Sequence, residues 1–474
     1  MPNAIPAKEH PAYAEAYADF ERDFPGYTSA ELDAARATDF ARLDRSGDVY
    51  LDYTGGGLYA ESLVREHTEL LTSAVFGNPH STNPTSQAMT ELTESARRAV
   101  LAHFRADPDE YVAVFTPNAS GALKLVAESY PFAPGGAFLL TYDNHNSVNG
   151  IREFARARGA TVAYAPVRPT DLRLDDAALH RMLDEPATGA ARLFAFPAQS
   201  NFSGVLHPLS WVERAGAHGW DVLLDAAAFA PCHALDVGTV GPDFVSLSFY
   251  KMFGYPTGVG ALLARREALA RLHRPWFAGG TIAYASVTQP RYDLHDGAEA
   301  FEDGTPNYLA LPAVEAGLRW LTGGRQAAIG ARVGALTAWA LERLAALRHA
   351  CGRPLVQVYG PLGTQGRGAA IAFNLLDASG ALVDHRTVER RANDARISLR
   401  TGCFCNPGAG EAALGISGDD LAACFRSTDR MTIDTFRGCL SDKGSGAVRV
   451  SFGAASTFAD AFALTQLMER FLER

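Results

Sequence analysis

Cysteine is scarce in this chain: six residues in 474, too few and too scattered for a disulfide framework. Four of them, Cys232, Cys351, Cys424 and Cys439, read as isolated thiols. Cys403 and Cys405 share the Gly-bearing segment RTGCFCNPGAG. With no second pair at zinc spacing, a C-x-C is a poor metal site, and no metal is expected; a reactive thiol is the better reading. Lys and Arg never run together into a basic stripe, and the net charge is −10, which argues against a nucleic-acid groove. No uncharged apolar run reaches the roughly 18 residues of a membrane span. The first twenty residues, MPNAIPAKEHPAYAEAYADF, lack both the basic start and the apolar core of a signal peptide. A cytoplasmic protein without a membrane partner is expected. Repeats, low-complexity blocks and long Gly/Ser linkers are missing too, so its domains are expected to pack closely and share a site.

What is present is a rhythm of short apolar runs and helical patterns from about residue 48. YVAVF precedes SGALKLVAESY, GAFLLTY precedes SVNGIREFARARG, ARLFAFPA precedes HPLSWVERAGAHG, and DVLLDAAAFA and PDFVSLSFY follow. Strands alternating with helices imply crossover connections and a mostly parallel sheet covered on both faces. From about residue 310 long helices take over, followed by AAIAFNLLD, the cysteine segment, VRVSFG and a terminal helix. The expected architecture is a large α/β domain over residues 46–310 and a smaller α+β domain over 311–474. Residues 1–45 are expected as a helical segment packing on the smaller domain.

Ligands of such sheets bind beyond the carboxyl ends of the strands, so the residues just after each apolar run are the place to look for chemistry. Lys251 follows VSLSFY; in a partly dry site its amine would lose charge and become free to form a Schiff base, although a solvated loop lysine fits the position as well. Asp225 closes DVLLD. Its carboxylate could pair with a protonated pyridine nitrogen, or cap the next helix. TPNASG, with Asn118, Ala119, Ser120 and Gly121, stands where a strand passes into a helix and could cradle an anion, as many ordinary turns could. Ser248 would add a hydroxyl if the chain leaves the strand there. His145 in DNHNS could lie over an aromatic ligand or be structural. Arg449, inside AVRVSFG, needs either a carboxylate ligand or a salt bridge, and Arg400 in LRTG is placed similarly.

Together these pieces resemble fold-type I pyridoxal-phosphate enzymes of aminotransferase class V, and within them the N-terminal cysteine-desulfurase domain of molybdenum-cofactor sulfurases. The resemblance runs from YLDYTGGG to the last helix through FGNPHS, FPAQSNFSG, LLDAA, SFYKMFGYPTGVGALL, FAGGT, FEDGT, AFNLLD and LRTGCFCNPGA. It implies Lys251 as the Schiff-base lysine, Asp225 on the pyridine nitrogen and His145 stacked over the ring. Ala119, Ser120 and Ser248 would lie at the phosphate, and Asn201 beside the phenolic oxygen and the substrate. Arg449, with Arg400 near it, would meet the substrate carboxylate. Cys405 would accept sulfur, with Cys403 a neighbouring family cysteine. A homodimer is implied, in which Thr281 reaches the partner's phosphate. Related desulfurases often carry Gln and His where this chain has Ala228 and Tyr250; Tyr250 could still offer its hydroxyl to the cofactor. The expected activity is transfer of sulfur from L-cysteine to an enzyme persulfide with release of L-alanine and delivery to an unidentified acceptor, as a stand-alone enzyme without a molybdenum-cofactor-binding domain. The alternatives on the same scaffold are a C–S lyase, a selenocysteine lyase, or a biosynthetic aminotransferase or epimerase.

Overall fold

A computed structural model describes residues 7–186, 189–426, 430, 432, 435, 438–439 and 444–473. After a short strand β1 (Val49–Tyr50), one sheet is built from β2 (Tyr111–Thr116), β3 (Ala137–Thr141), β4 (Thr161–Ala165), β5 (Arg192–Pro197), β6 (Asp221–Asp225), β7 (Phe244–Ser248) and β8 (Gly260–Arg265). Its order is β2-β8-β7-β6-β5-β3-β4, and only β8 runs against the other strands. The mostly parallel α/β sheet expected from the alternating pattern is therefore present. β5 and β7 are buried along their whole length, which is why they read as continuous apolar runs rather than alternating ones. β8 returns from β7 by a short connection, and a short connection permits only antiparallel pairing.

A hairpin of β9 (Ile282–Ala285) and β10 (Tyr292–Leu294) follows. A second, antiparallel sheet is then made by β11 (Val356–Tyr359), β12 (Ala370–Leu375), β14 (Arg400–Gly402) and β15 (Ala447–Ser451), in the order β11-β12-β15-β14. The intervening β13 (Ile397–Ser398) pairs in parallel with β1, and Asp52 bridges to Ser451, so the N-terminal approach to the large sheet is stitched to the small one. One apolar core joins them through Phe202, Phe249, Phe373 and Phe452.

The N-terminal helix Tyr13–Asp23 lies against the helices Arg325–Ala346 and Phe458–Glu469. Phe20 contacts Tyr27, Trp339 and Phe458, and Tyr13 and Tyr17 reach Phe458 from outside. Phe458 is fully buried at the centre of this ring cluster. Phe458→Ala should cost about 3 kcal/mol by removing that packing, read as a lowered urea midpoint at unchanged m-value.

One sequence expectation is corrected. Cys424 and Cys439 are not isolated thiols but form a disulfide, their Cα atoms 5.7 Å apart. Fifteen positions separate them, and the helix Gly418–Arg426 turns Cys424 inward to meet its partner. Cys232, Cys351, Cys403 and Cys405 are free. Among the described residues no helix is long and apolar enough to cross a membrane, and no cluster of His, Cys, Asp or Glu is arranged to hold a metal ion.

Candidate active site

The register of the large sheet sets Pro197 and Asp225, the last residues of β5 and β6, side by side with Ser246 in the middle of β7. The Ser246 hydroxyl donates to Asp225 Oδ1 at 2.9 Å, and the Ala227 amide donates to the same oxygen at 3.1 Å. Oδ2 has no hydrogen bond among the described residues. The carboxylate is thus held by one oxygen, with the other left to a ligand. β7 stops at Ser248, and a single helical turn, Phe249–Phe253, carries Lys251 back over the strand ends. Gly254 ends that turn with φ +79°, where a Cβ would lie 2.3 Å from the Leu58 carbonyl carbon, so only glycine fits. Lys251 forms no salt bridge among the described residues. Burial holds its amine below the usual lysine range; the nearby Asp225 carboxylate opposes this and the Arg449 charge adds to it.

Across the cleft the helix Ala119–Ser129 begins at Asn118, whose Oδ1 accepts from the Gly121 amide at 3.0 Å. The Ala119 amide donates to Ser248 Oγ at 3.0 Å, and the Ser120 and Ser147 hydroxyls lie 2.6 Å apart. This turn sits close to β8 because Gly260 has no side chain: a Cβ there would come 2.7 Å from Asn118 Cα. Hydroxyls and a helix N-terminus so gathered suit an anion. His145 caps the short helix Asn146–Asn149, its Nδ1 accepting from the Ser147 amide at 3.1 Å, an arrangement that leaves the proton on Nε2. Burial lowers its pKa and favours the neutral ring.

His145, Ala119, Ser120, Asn201, Asp225, Ser248, Tyr250 and Lys251 line one cleft of about 180 Å³. Thr281 does not line it. Its hydroxyl accepts from the Ala278 amide at 3.0 Å and donates to the Ala278 carbonyl at 2.9 Å.

The two arginines are directly opposite each other on β14 and β15, a like-charge pair that would repel without an anion between them. Asp52 is that anion. Arg400 donates to its Oδ2 from Nε and Nη2 at 2.8 and 2.6 Å, and Arg449 Nη2 donates to Oδ1 at 2.9 Å. Arg449 also donates from Nη1 to the Asn201 carbonyl at 2.9 Å, while its Nε is buried without a partner. Arg449 is therefore already salt-bridged, with Nε–H and its remaining Nη protons free for a carboxylate. Sequence reasoning passed over Asp52 because nothing in YLDYTGGG distinguishes it from a surface Asp.

Cys405 is exposed on the loop between β14 and the helix Pro407–Leu414. Phe404 and Cys405 both have φ +55°, a left-handed conformation costing a non-glycine residue about 1–3 kcal/mol. Contacts with the cleft hold the loop in it. Asn146 N donates to the Cys405 carbonyl at 2.7 Å, Asn201 Nδ2 donates to the Phe404 carbonyl at 2.7 Å, and the Arg449 guanidinium lies 4.7 Å from the Phe404 ring centre. Asn406 Nδ2 donates to Asn201 Oδ1 at 2.8 Å and to the Asp143 carbonyl at 2.6 Å. Asn201 thus joins the cleft, the arginine and the cysteine loop.

A family model described as Aminotransferase class-V matches residues 49–464. Among curated proteins, the chain is 38% identical to a molybdenum cofactor sulfurase of Bos taurus over 94% of this chain and 52% of that one. It is 36% identical to the molybdenum cofactor sulfurase of Solanum lycopersicum over 94% of this chain and 58% of that one. The chain spans little more than half the length of these relatives. Among solved structures, a cysteine desulfurase from Thermococcus onnurineus NA1 superposes with a TM-score of 0.76 at 24% identity, over 93% of this chain and 98% of that one. A cystine C–S lyase in complex with its product cysteine persulfide gives 0.69 at 19% identity, over 91% and 100%. At such identities the structural likeness speaks to the fold.

Proposed function

Because the chain belongs to the aminotransferase class-V family, we propose that it is a pyridoxal-phosphate-dependent cysteine desulfurase that moves sulfur from L-cysteine onto Cys405 and releases L-alanine. The donor set in the cleft fits the cofactor. A lysine without an ion pair, a carboxylate with one uncommitted oxygen, and an anion cradle of hydroxyls and a helix N-terminus surround a space of suitable size. Bound there, pyridoxal phosphate supplies an aldehyde that joins an amine and a protonated ring that draws electrons from the substrate's α-carbon.

Lys251 would hold that aldehyde; once released from it, the amine, its basicity held down by burial, keeps a neutral share able to take the α-proton at Nζ. Asp225 would keep the ring nitrogen protonated, Ser120, Ser248 and the Ala119 turn would hold the phosphate, and His145 would cover the ring. Tyr250 lines the same cleft with its hydroxyl as a further donor. Arg449 binds the substrate carboxylate through its uncommitted N–H groups, and Arg400 holds Asp52 in place behind it. The Cys405 thiolate attacks the substrate sulfur: an S–S bond forms and the C–S bond breaks with its electron pair left on carbon. Two protons, the α-proton carried by Lys251 and the one given up by the Cys405 thiol, return to the α- and β-carbons to give alanine. Cys403, also exposed, is a second thiol on the same loop.

The protein acts as a homodimer in this reading, although Thr281, fully buried with its hydroxyl bonded to Ala278, is not free in this conformation to serve the partner's site. Its support is the exposure of Trp276, Phe277, Tyr284 and Tyr292 around that residue. The sulfur acceptor is a separate molecule that reaches the exposed Cys405.

The observation that carries the reading is Asn201, which lines the Lys251 cleft and is bonded to both the Cys405 loop and Arg449. Incubation of the purified holoenzyme with L-cysteine should add one sulfur atom to the peptide containing Cys405, reversed by a thiol reductant, with alanine formed in equal amount. Pyruvate and ammonia with no added mass would replace this reading by a C–S lyase.

A further inference from the structure

Asp143 and His207 form a buried pair that no step of the proposed chemistry uses. His207 Nε2 lies 2.9 Å from Asp143 Oδ2, and both side chains are shut away from solvent. The Thr141 hydroxyl donates to Asp143 Oδ1 at 2.9 Å, and the Ser200 hydroxyl reaches the same carboxylate. Burial pushes the carboxyl pKa up, but His207 and the two hydroxyls outweigh it and hold the group below the usual carboxylate range, ionised at neutral pH. His207 is itself fixed: its amide donates to the Ala198 carbonyl at 3.0 Å, and its ring packs on Trp211 with centres 5.2 Å apart. Burying an ionised carboxylate is costly even beside a hydrogen-bonded partner, and an apolar pair of the same volume is often as stable, so stability alone does not account for this one.

Its place in the chain gives the pair a second effect. Asp143 opens the turn 143–147, which presents His145 to the cleft and two backbone groups to the cysteine loop. The Asp143 carbonyl accepts from Asn406 Nδ2 at 2.6 Å, and the Asn146 amide donates to the Cys405 carbonyl at 2.7 Å. Asn406 passes the constraint on, because its Oδ1 caps the helix Pro407–Leu414 by accepting from the Ala409 amide at 3.1 Å. The first turn of that helix rests on the same strand end: a Cβ at Gly408 would collide with the Tyr142 carbonyl. Phe404 and Cys405, both at φ +55°, would relax toward commoner conformations if these ties slackened. Thr141 fixes one oxygen of the Asp143 carboxylate and His207 the other, so the side chain is clamped from two elements and the backbone it belongs to is clamped with it.

Resting on the proposed transfer of sulfur to Cys405, we propose that Asp143 and His207 are positioning residues that hold the cysteine loop against the cleft, acting through the turn 143–147 and Asn406. Neither side chain lines the cleft. Their loss would leave cofactor and substrate carboxylate bound and let the acceptor sulfur drift, and a misplacement of about 1 Å in a reacting group can cost about 10²-fold in rate.

The test pairs hydrogen exchange with a single-turnover assay of the holoenzyme. In His207→Leu and Asp143→Ala the amides of 143–149 and 403–409 should lose protection together, while β5, β6 and β7 keep theirs. The rate of alanine formation in the first turnover, counted per site bearing the visible cofactor band, should fall about 10²-fold, with the half-saturating cysteine concentration within about twofold of wild type because Arg449 and Asp52 are untouched. His207→Gln keeps an N–H donor at the Nε2 position and should recover most of the rate, a rescue that a general folding defect would not show. Protection lost throughout the large sheet, or a first-turnover rate within about threefold of wild type in both disruptive variants, overturns the proposal. Wild-type protein that forms no sulfur adduct on Cys405 overturns the desulfurase reading instead, and the exchange experiment, which needs no substrate, still decides what the pair holds.

Discussion

Lys251→Ala is expected to lower cysteine turnover by about 10³-fold or more and to remove the visible absorbance of the bound cofactor. Two roles are lost at once. The amine that anchors the aldehyde is gone, and so is the group placed to carry the α-proton, a contribution of about 10²–10⁴-fold by itself. The size of the effect depends on the environment that burial creates, because an ordinary lysine would be almost wholly charged at neutral pH. Burial pulls the pKa of Lys251 down, so the neutral, reactive fraction rises with pH and is lost on acidification. Activity in the wild type should accordingly fall on the acid side as this amine protonates. The absorbance spectrum and a steady-state alanine assay on wild type and variant check both points. A variant retaining the band would place the anchor elsewhere.

Asp52→Ala should cost about 3–5 kcal/mol of stability, since it strands a buried guanidinium. Arg449 is 2% exposed and has no other carboxylate partner among the described residues. Arg400, half exposed, can turn to water, whereas Arg449 cannot. The same change should raise KM for cysteine, because the fork that meets the substrate carboxylate is aimed by Asp52 on Nη2 and by the Asn201 carbonyl on Nη1. Asp52→Asn keeps one acceptor oxygen and should lose less on both counts. Chemical denaturation with a cysteine titration of the rate measures the two effects. A stability change under about 1 kcal/mol would mean that Asp52 is not the counter-charge to a buried arginine.

The residues legible in the sequence share a physical cause. Asp225, Ser248 and Ser120 stand at or just after buried strands, and a buried strand announces itself by an unbroken apolar run with a polar residue at its end. Lys251 was legible as a strand-end residue, though the turn of helix that carries it was not. The alternating run AVRVSFG marked Arg449 as buried in the same way. Its partner left no such mark: Asp52 lies 397 positions away, and which acid neutralises an interior arginine is decided by how the two sheets meet. The same limit hid the Cys424–Cys439 bond. The family resemblance conveyed roles for Cys405 and Thr281 that no local pattern contains.

The ion pairs around Asp52 also order events in time. Their partners are separated by 348 and 397 residues, and the Thr54 amide closes a further link to Ser451. Contacts of such span are the slowest to form, and on a ribosome they must wait for the distant partner to emerge. Lys251 and Asp225 are translated well before Arg400 and Arg449, so a nascent chain could hold its cofactor while having no means of gripping an amino acid. On the proposed activity, sulfur would be mobilised only by molecules whose two sheets have closed on each other through this three-residue junction.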